Sequence, residues 1–168
     1  MTPFYLGSVL VPDVAFPRPE DVDVEFMRYR LANMRRFSGH PDALTVAQHQ
    51  RLCGVLASRI GYAPQVVQWA EHHDDHEYAT GDIATPVQKA IGMRRLRELQ
   101  ERWDIAICGA LGIPVPTPDV RKQVAVVDAV AFAIEWLWCL DRRTDELRLS
   151  KAVLSLADQH RSALLAVW

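Results

Sequence analysis

The sequence predicts an all-α protein, a single-domain bundle of about six to seven helices covering residues 1–168. Three observations lead there. Apolar residues recur at three-and-four spacing in successive segments, residues that start and stop helices punctuate those segments, and no run shows the alternation of a half-buried strand. With 168 residues, 49% hydrophobic and 24% charged, the chain is ordinary globular material and can bury about two-thirds of its unfolded surface. The core is expected over residues 25–140 and a closing helix over 150–167.

In order, residues 1–20 hold Pro3, Pro12, Pro17 and Pro19 among short apolar patches, which suits an extended arm along the surface better than a regular element. Phe26, Tyr29 or Arg30, and Met34 fit a helix over 23–36, and Phe37-Ser38-Gly39-His40-Pro41 breaks it. Thr45 is the N-cap expected for the next helix and Gly61 its stop, with Val46, His49, Cys53, Leu56 and Ile60 on the inward face. Pro64 and Gly81 bracket a third segment, read as one helix that places His73 and Glu77 one turn apart with Asp74 beside them. A short connection makes the second and third helices neighbours.

Thr85 as N-cap and Pro86 at the first position start a short helix. Met93, Leu96, Leu99 or Gln100, Trp103 and Ile107 then trace another, whose Arg94, Arg95, Arg97 and Arg102 alternate with Glu98 and Glu101 as a solvated face. Thr117-Pro118-Asp119 combines a capping hydroxyl, a first-turn proline and an acidic group at the positive end of the helix dipole, and starts a helix running to residue 140. The last helix, over residues 150–167, turns Val153, Leu156, Ala157, His160 and Leu164 inward.

Charge and cysteine usage exclude several function classes. Nineteen Lys and Arg against 21 Asp and Glu give a net charge of -2, which offers no footprint for a nucleic-acid polymer or a membrane. Three widely spaced cysteines, Cys53, Cys108 and Cys139, read as buried thiols in a reducing compartment. With no signal-like start and no long apolar run, the expected location is cytoplasmic.

The polar chemistry concentrates between Trp69 and Asp82, which holds three of the six histidines. The apolar stripe of Val66 and Ala70 runs into His73, Asp74 and Glu77, groups that are costly to bury without compensation. A divalent metal would use neutral imidazole and ionised carboxylate together, while a solvated helix end is the other reading. His49 alone on an apolar face is more often a satisfied core residue than a ligand. Asp128 interrupts the apolar run Val124–Ile134, so a cation should partner it, either a metal or a structural Arg or Lys.

Taken together, His49, the pair His73-Asp74 and the distant Asp128 resemble the ligand order of the HD-domain metal-dependent phosphohydrolases. The resemblance extends to Val46-Ala47-Gln48-His49, to Glu77 three residues after Asp74, to Gly81-Asp82-Ile83 with Thr85-Pro86-Val87 and Lys89, to Val127-Asp128-Ala129, and to Arg35-Arg36-Phe37-Ser38-Gly39-His40. These segments look like the compact branch that includes bacterial 5′-deoxynucleotidases and bacteriophage dATP triphosphohydrolases, over about residues 25–135. His72 and His76 depart from it, since relatives commonly carry apolar or small residues there, and His76 is either an extra substrate contact or a surface residue.

The resemblance implies an HD-type helical bundle with His49, His73, Asp74 and Asp128 as metal ligands. It implies Glu77 and Asp74 in catalysis, Arg36 as the phosphate-binding arginine, and Phe37, Asp82 and Lys89 as further substrate contacts. One divalent transition metal is expected, with manganese, cobalt, zinc, nickel and iron all suited to the donors and magnesium a further candidate. The implied activity is hydrolysis of deoxynucleoside 5′-phosphates, either monophosphates or triphosphates such as dATP. The alternative is a catalytically idle HD-like bundle that binds a nucleotide or a partner protein. The partner expected is the small-molecule substrate, the assembly a homo-oligomer (dimer or higher), and the setting a bacterium or a phage-infected host.

Overall fold

A computed structural model describes residues 4–141 and 149–168, so Pro3 of the expected arm lies outside the described residues. The architecture is all-α, with nine α-helical segments among the described residues: α1 (Val24–Asn33), α2 (Arg36–Gly39), α3 (Val46–Ile60), α4 (Pro64–Ala70), α5 (Glu77–Thr80), α6 (Thr85–Ile91), α7 (Met93–Leu111), α8 (Pro118–Ile134) and α9 (Lys151–His160). No helix among the described residues is long and apolar enough to cross a membrane.

Where local signals and the apolar face agree, the helices are regular. Thr45 accepts from the Gln48 amide while Gln48 reaches back to the Thr45 amide, and Gly61 closes α3 in the left-handed conformation at φ 89°. Thr117 caps α8 with Pro118 in its first turn, and Ser150 caps α9. The apolar interior has two parts. Leu52, Leu56, Val66, Val127, Ala131 and Ala157 belong to one, from α3, α4, α8 and α9. Leu6, Val11, Met27, Val46, Tyr78 and Trp103 belong to the other, from the N-terminal segment, α1, α5 and α7. Helix α3 contributes to both, so the residues between Val46 and Leu52 lie on the seam.

Five expectations are corrected. The N-terminal arm contains an antiparallel hairpin, β1 (Phe4–Leu6) with β2 (Val9–Val11), paired from Phe4 opposite Val11 to Leu6 opposite Val9. Gly7, at φ 62°, and Ser8 form its two-residue turn, and Ser8 donates to Asp23, which also caps α1. The segment from Pro64 to Gly81 is two helices, not one. Between them the backbone runs through four-residue turns such as Asp75 N to His72 O, and the Ala70 carbonyl accepts from His73 Nδ1. Helix α6 begins at Thr85 itself, with Ala84 at the cap position. The helix after Thr117 leaves α-geometry at Ile134 and continues as one π-helical segment, Glu135–Cys139. The closing helix is α-helical only to His160 and runs on as a 3-10 segment, Arg161–Ala166.

Candidate metal centre

His49 sits on the seam of α3 and is completely buried. Its Nδ1 donates to Glu135 Oε1 at 2.5 Å, while its Nε2 lies 3.1 Å from Asp128 Oδ1 and 3.6 Å from Asp74 Oδ2. His73 stands on the turn after α4. Its Nδ1 donates to the Ala70 carbonyl at 2.9 Å, and its Nε2 lies 3.3 Å from Asp74 Oδ2 and 3.9 Å from Asp128 Oδ1. In each ring the protein occupies Nδ1 and leaves Nε2 facing the same carboxylates, the arrangement that fixes the tautomer of a metal-binding imidazole. His73 Nε2 is buried without a hydrogen-bond partner.

A buried His/Cys/Asp group of this kind could hold a metal ion. His49, Cys53, His73 and Asp128 each offer a ligand atom, all within 4.8 Å of one another. Cys53 is an addition to the expected set, its Sγ 3.5 Å from His49 Nε2. The electrostatics point the same way. Burial lowers the proton affinity of His73, but the negative charges of Asp74 and Asp128 outweigh it and push the ring up to about 10. The cluster therefore gathers positive charge, as a proton or as a cation.

Asp128 is less enclosed than its apolar surroundings suggested. Its side chain is 43% exposed, since α8 turns this face, with Ala125 exposed one turn earlier, to a cleft. Its neighbours are the two imidazoles, with no Arg or Lys paired to it among the described residues. The cleft has a volume of about 230 Å³ and is lined by His73, Asp128, His76, Trp69, Arg121 and Val124, among others.

Arg36 is held at the inner side of the cluster, its Nε 3.2 Å from Glu135 Oε2 and its Nη1 3.3 Å from Asp74 Oδ2. Phe37 follows at φ 52°, and its ring stacks on Phe132 at 5.6 Å and stands 6.1 Å from Trp136. Glu77 opens α5 and is buried, with Oε2 lacking a partner. Burial, with the charges of Asp74 and Asp82, pushes its carboxyl up to about 9. Asp82 also keeps a buried oxygen without a partner, and burial raises its pKa. Lys89 is exposed on α6.

His76 is not a surface residue. It is 8% exposed, and its Nδ1 lies 2.9 Å from Asp104 Oδ1, while Asp104 Oδ2 accepts from Arg121 Nη1 at 2.9 Å. His72 instead pairs with Asp75, at 2.8 Å. Sequence reading missed Glu135, Cys53, Asp104 and Arg121. For Glu135 a signal existed, since it follows Asp128 by seven residues, two helical turns along the same face.

No protein-family model matches the chain. An uncharacterized protein of Rhodobacter capsulatus is 31% identical over 129 residues, a match that takes in 73% of this chain and 65% of that protein's length.

Proposed function

We propose that the protein is a metal-dependent phosphohydrolase of deoxynucleoside 5′-phosphates, the activity that the resemblance to HD-domain enzymes implies. The observation that carries the reading is the convergence of two imidazole Nε2 atoms and two carboxylates beside an unpartnered, buried Glu77 oxygen. Residues His49, His73, Asp74 and Asp128 would hold one divalent ion, with Cys53 adjacent. Bound there, such an ion lowers the pKa of a coordinated water and polarises a phosphoryl oxygen.

The chain's own groups supply the rest. With its carboxyl raised to about 9, Glu77 holds a proton at neutral pH in the metal-free cluster. Added positive charge beside it favours the ionised form. Glu77 then accepts a proton as the water oxygen bonds to phosphorus and the P–O bond to the leaving group breaks. The same carboxyl returns that proton to the leaving oxygen. Arg36, permanently charged, offsets negative charge developing on the phosphoryl group. The Phe37 ring offers an apolar surface to the sugar. A 2′-hydroxyl placed there loses its water partners, which favours deoxyribose by about ten- to a hundredfold.

The test is product release from matched ribo- and deoxyribonucleoside mono- and triphosphates, with and without divalent metal. Metal-dependent hydrolysis of deoxynucleotides is expected, lost on chelation and in His49→Ala. A metal-loaded protein that hydrolyses none of them would overturn the activity. Equal rates on both sugars would remove the role given to Phe37.

A further inference from the structure

We propose that Cys53 is a thiolate ligand of soft ions at the candidate metal centre, and so the residue that makes the centre discriminate between soft and hard ions. The inference rests on reading His49, His73 and Asp128 as a metal centre, but not on any catalytic activity. His49 and Cys53 stand four residues apart on α3, the spacing at which one helix face offers two ligands to one ion. The sulfur lies 3.5 Å from His49 Nε2, the nitrogen that faces the centre. With metal bonds of about 2.3 Å to sulfur and about 2.0 to 2.1 Å to nitrogen, a tetrahedral angle separates two such donors by about 3.5 Å. Ligand atoms of His49, Cys53, His73 and Asp128 all lie within 4.8 Å of one another. Shifts of roughly half an ångström each therefore gather them on one ion.

Two observations distinguish Cys53 from a small residue that merely fills the core. Cys108 is buried as well, but among the described residues neither it nor Cys139 joins a group of clustered ligand atoms. The group around Cys53 also holds a buried nitrogen that nothing receives, since His73 Nε2 has no hydrogen-bond partner.

A thiolate favours zinc, cobalt or iron(II), whereas manganese and magnesium prefer oxygen. When a soft ion binds, a sulfur–metal bond replaces the S–H bond and the proton leaves to solvent. His49, Cys53, His73 and Asp128 then form a closed set of four donors, the kind that holds structural zinc, while Asp74 stays with Arg36 Nη1 at 3.3 Å. With manganese or magnesium the sulfur remains a thiol, Asp74 takes its place, and positions stay open to oxygen. The identity of the ion thereby sets how many oxygens reach it.

The experiment is a titration of the metal-stripped, reduced full chain with Co²⁺, read by absorption spectroscopy, together with Zn²⁺ and Mn²⁺ affinities from competition with a chelator. Wild type should bind cobalt with a thiolate-to-cobalt charge-transfer absorption in the near ultraviolet. Cys53→Ser and the smaller Cys53→Ala, each checked for folding by circular dichroism, should lose that absorption. In both, zinc affinity should fall by at least about 10- to 100-fold, the scale for losing a group that only orients a ligand, while manganese affinity stays nearly unchanged. A cobalt-bound wild type without the absorption, an absorption that survives in both variants, or equal losses for zinc and manganese overturns the proposal, as does a chain that binds no cobalt. The absorption in a protein that hydrolyses no nucleotide would uphold it and remove only the phosphohydrolase reading.

Discussion

The two imidazoles of the candidate metal centre are supported in opposite ways. His49 stands in the middle of a regular, doubly capped helix and leans on the side chain of Glu135, 86 positions away in sequence. His73 stands on a break between two short helices and leans on the carbonyl of Ala70, three positions away. One support is tertiary and charged. The other is local and belongs to the backbone. The first can be removed by mutation and the second cannot, and the centre should respond accordingly.

The largest effect is expected from removing the side-chain support. Glu135→Ala should weaken metal binding by about 10- to 100-fold, the usual scale for a group that orients a ligand. It also leaves the buried guanidinium of Arg36 without one of its two carboxylates, so melting temperature should fall with or without metal. Glu135→Gln keeps an acceptor for His49 Nδ1 and should fall between. Metal affinity by competition with a chelator, and thermal unfolding, are the measurements. Affinity within twofold of wild type in Glu135→Ala would show that the two supports do not differ in weight.

The second expectation sharpens the contrast from the side of His73. Its folded, metal-free pKa of about 10 lies above the ordinary value, so protonation stabilises the metal-free protein fully below about pH 6.5, and that stabilisation is lost as pH rises towards 10. A metal must displace this proton. Between those limits affinity should rise by about tenfold per pH unit for each proton displaced, and His73 together with Glu77 should release more than one proton per ion at neutral pH. Calorimetry in two buffers of different ionisation enthalpy counts the protons, and a pH-independent affinity would contradict the protonated resting state.

The smallest effect concerns the helix that carries His49. Thr45→Ala removes a capping box and should cost about 1 kcal/mol of stability while leaving metal affinity nearly unchanged. Chemical denaturation measures it. A large loss of metal would mean that α3 is less autonomous than its regular geometry implies.

What was legible in the sequence follows the same division. Helices α3 and α8 could be read with their starts because Thr45, Thr117 and Pro118 say locally what the apolar faces say globally. His49, His73 and Asp128 could be singled out because each sits on, or at the end of, an apolar stripe, and Asp74 because it stands beside His73. The break after Ala70 was not legible. There an imidazole takes the carbonyl that a continuing helix would give to the next turn, and spacing alone carries no sign of that exchange. The hairpin was missed because four prolines outweighed the Gly7-Ser8 turn signal. Asp104 and Arg121 lie 28 and 45 positions from His76, and only the packing of α7 and α8 around the cleft brings the three together.

The left-handed turn at Phe37 and Ser38 has a consequence for the entropy of ligand capture. Two successive non-glycine residues at φ 52° and 56° are disfavoured by about 1 to 2 kcal/mol each, so tertiary contacts must hold them. The loop is closed at its neck by the bridge between Arg35 and Thr45, with the Arg36 amide donating to Leu44 O and the Val46 amide to Met34 O. Arg36 thus leaves a pinned backbone, and its guanidinium is clamped by Asp74 and Glu135. A free arginine loses about 2 kcal/mol of rotamer entropy when an anion immobilises it. Here that ordering is completed during folding, so in the proposed hydrolase a phosphate at Arg36 would meet a preorganised cation, and little of the contact energy would be offset by freezing the side chain.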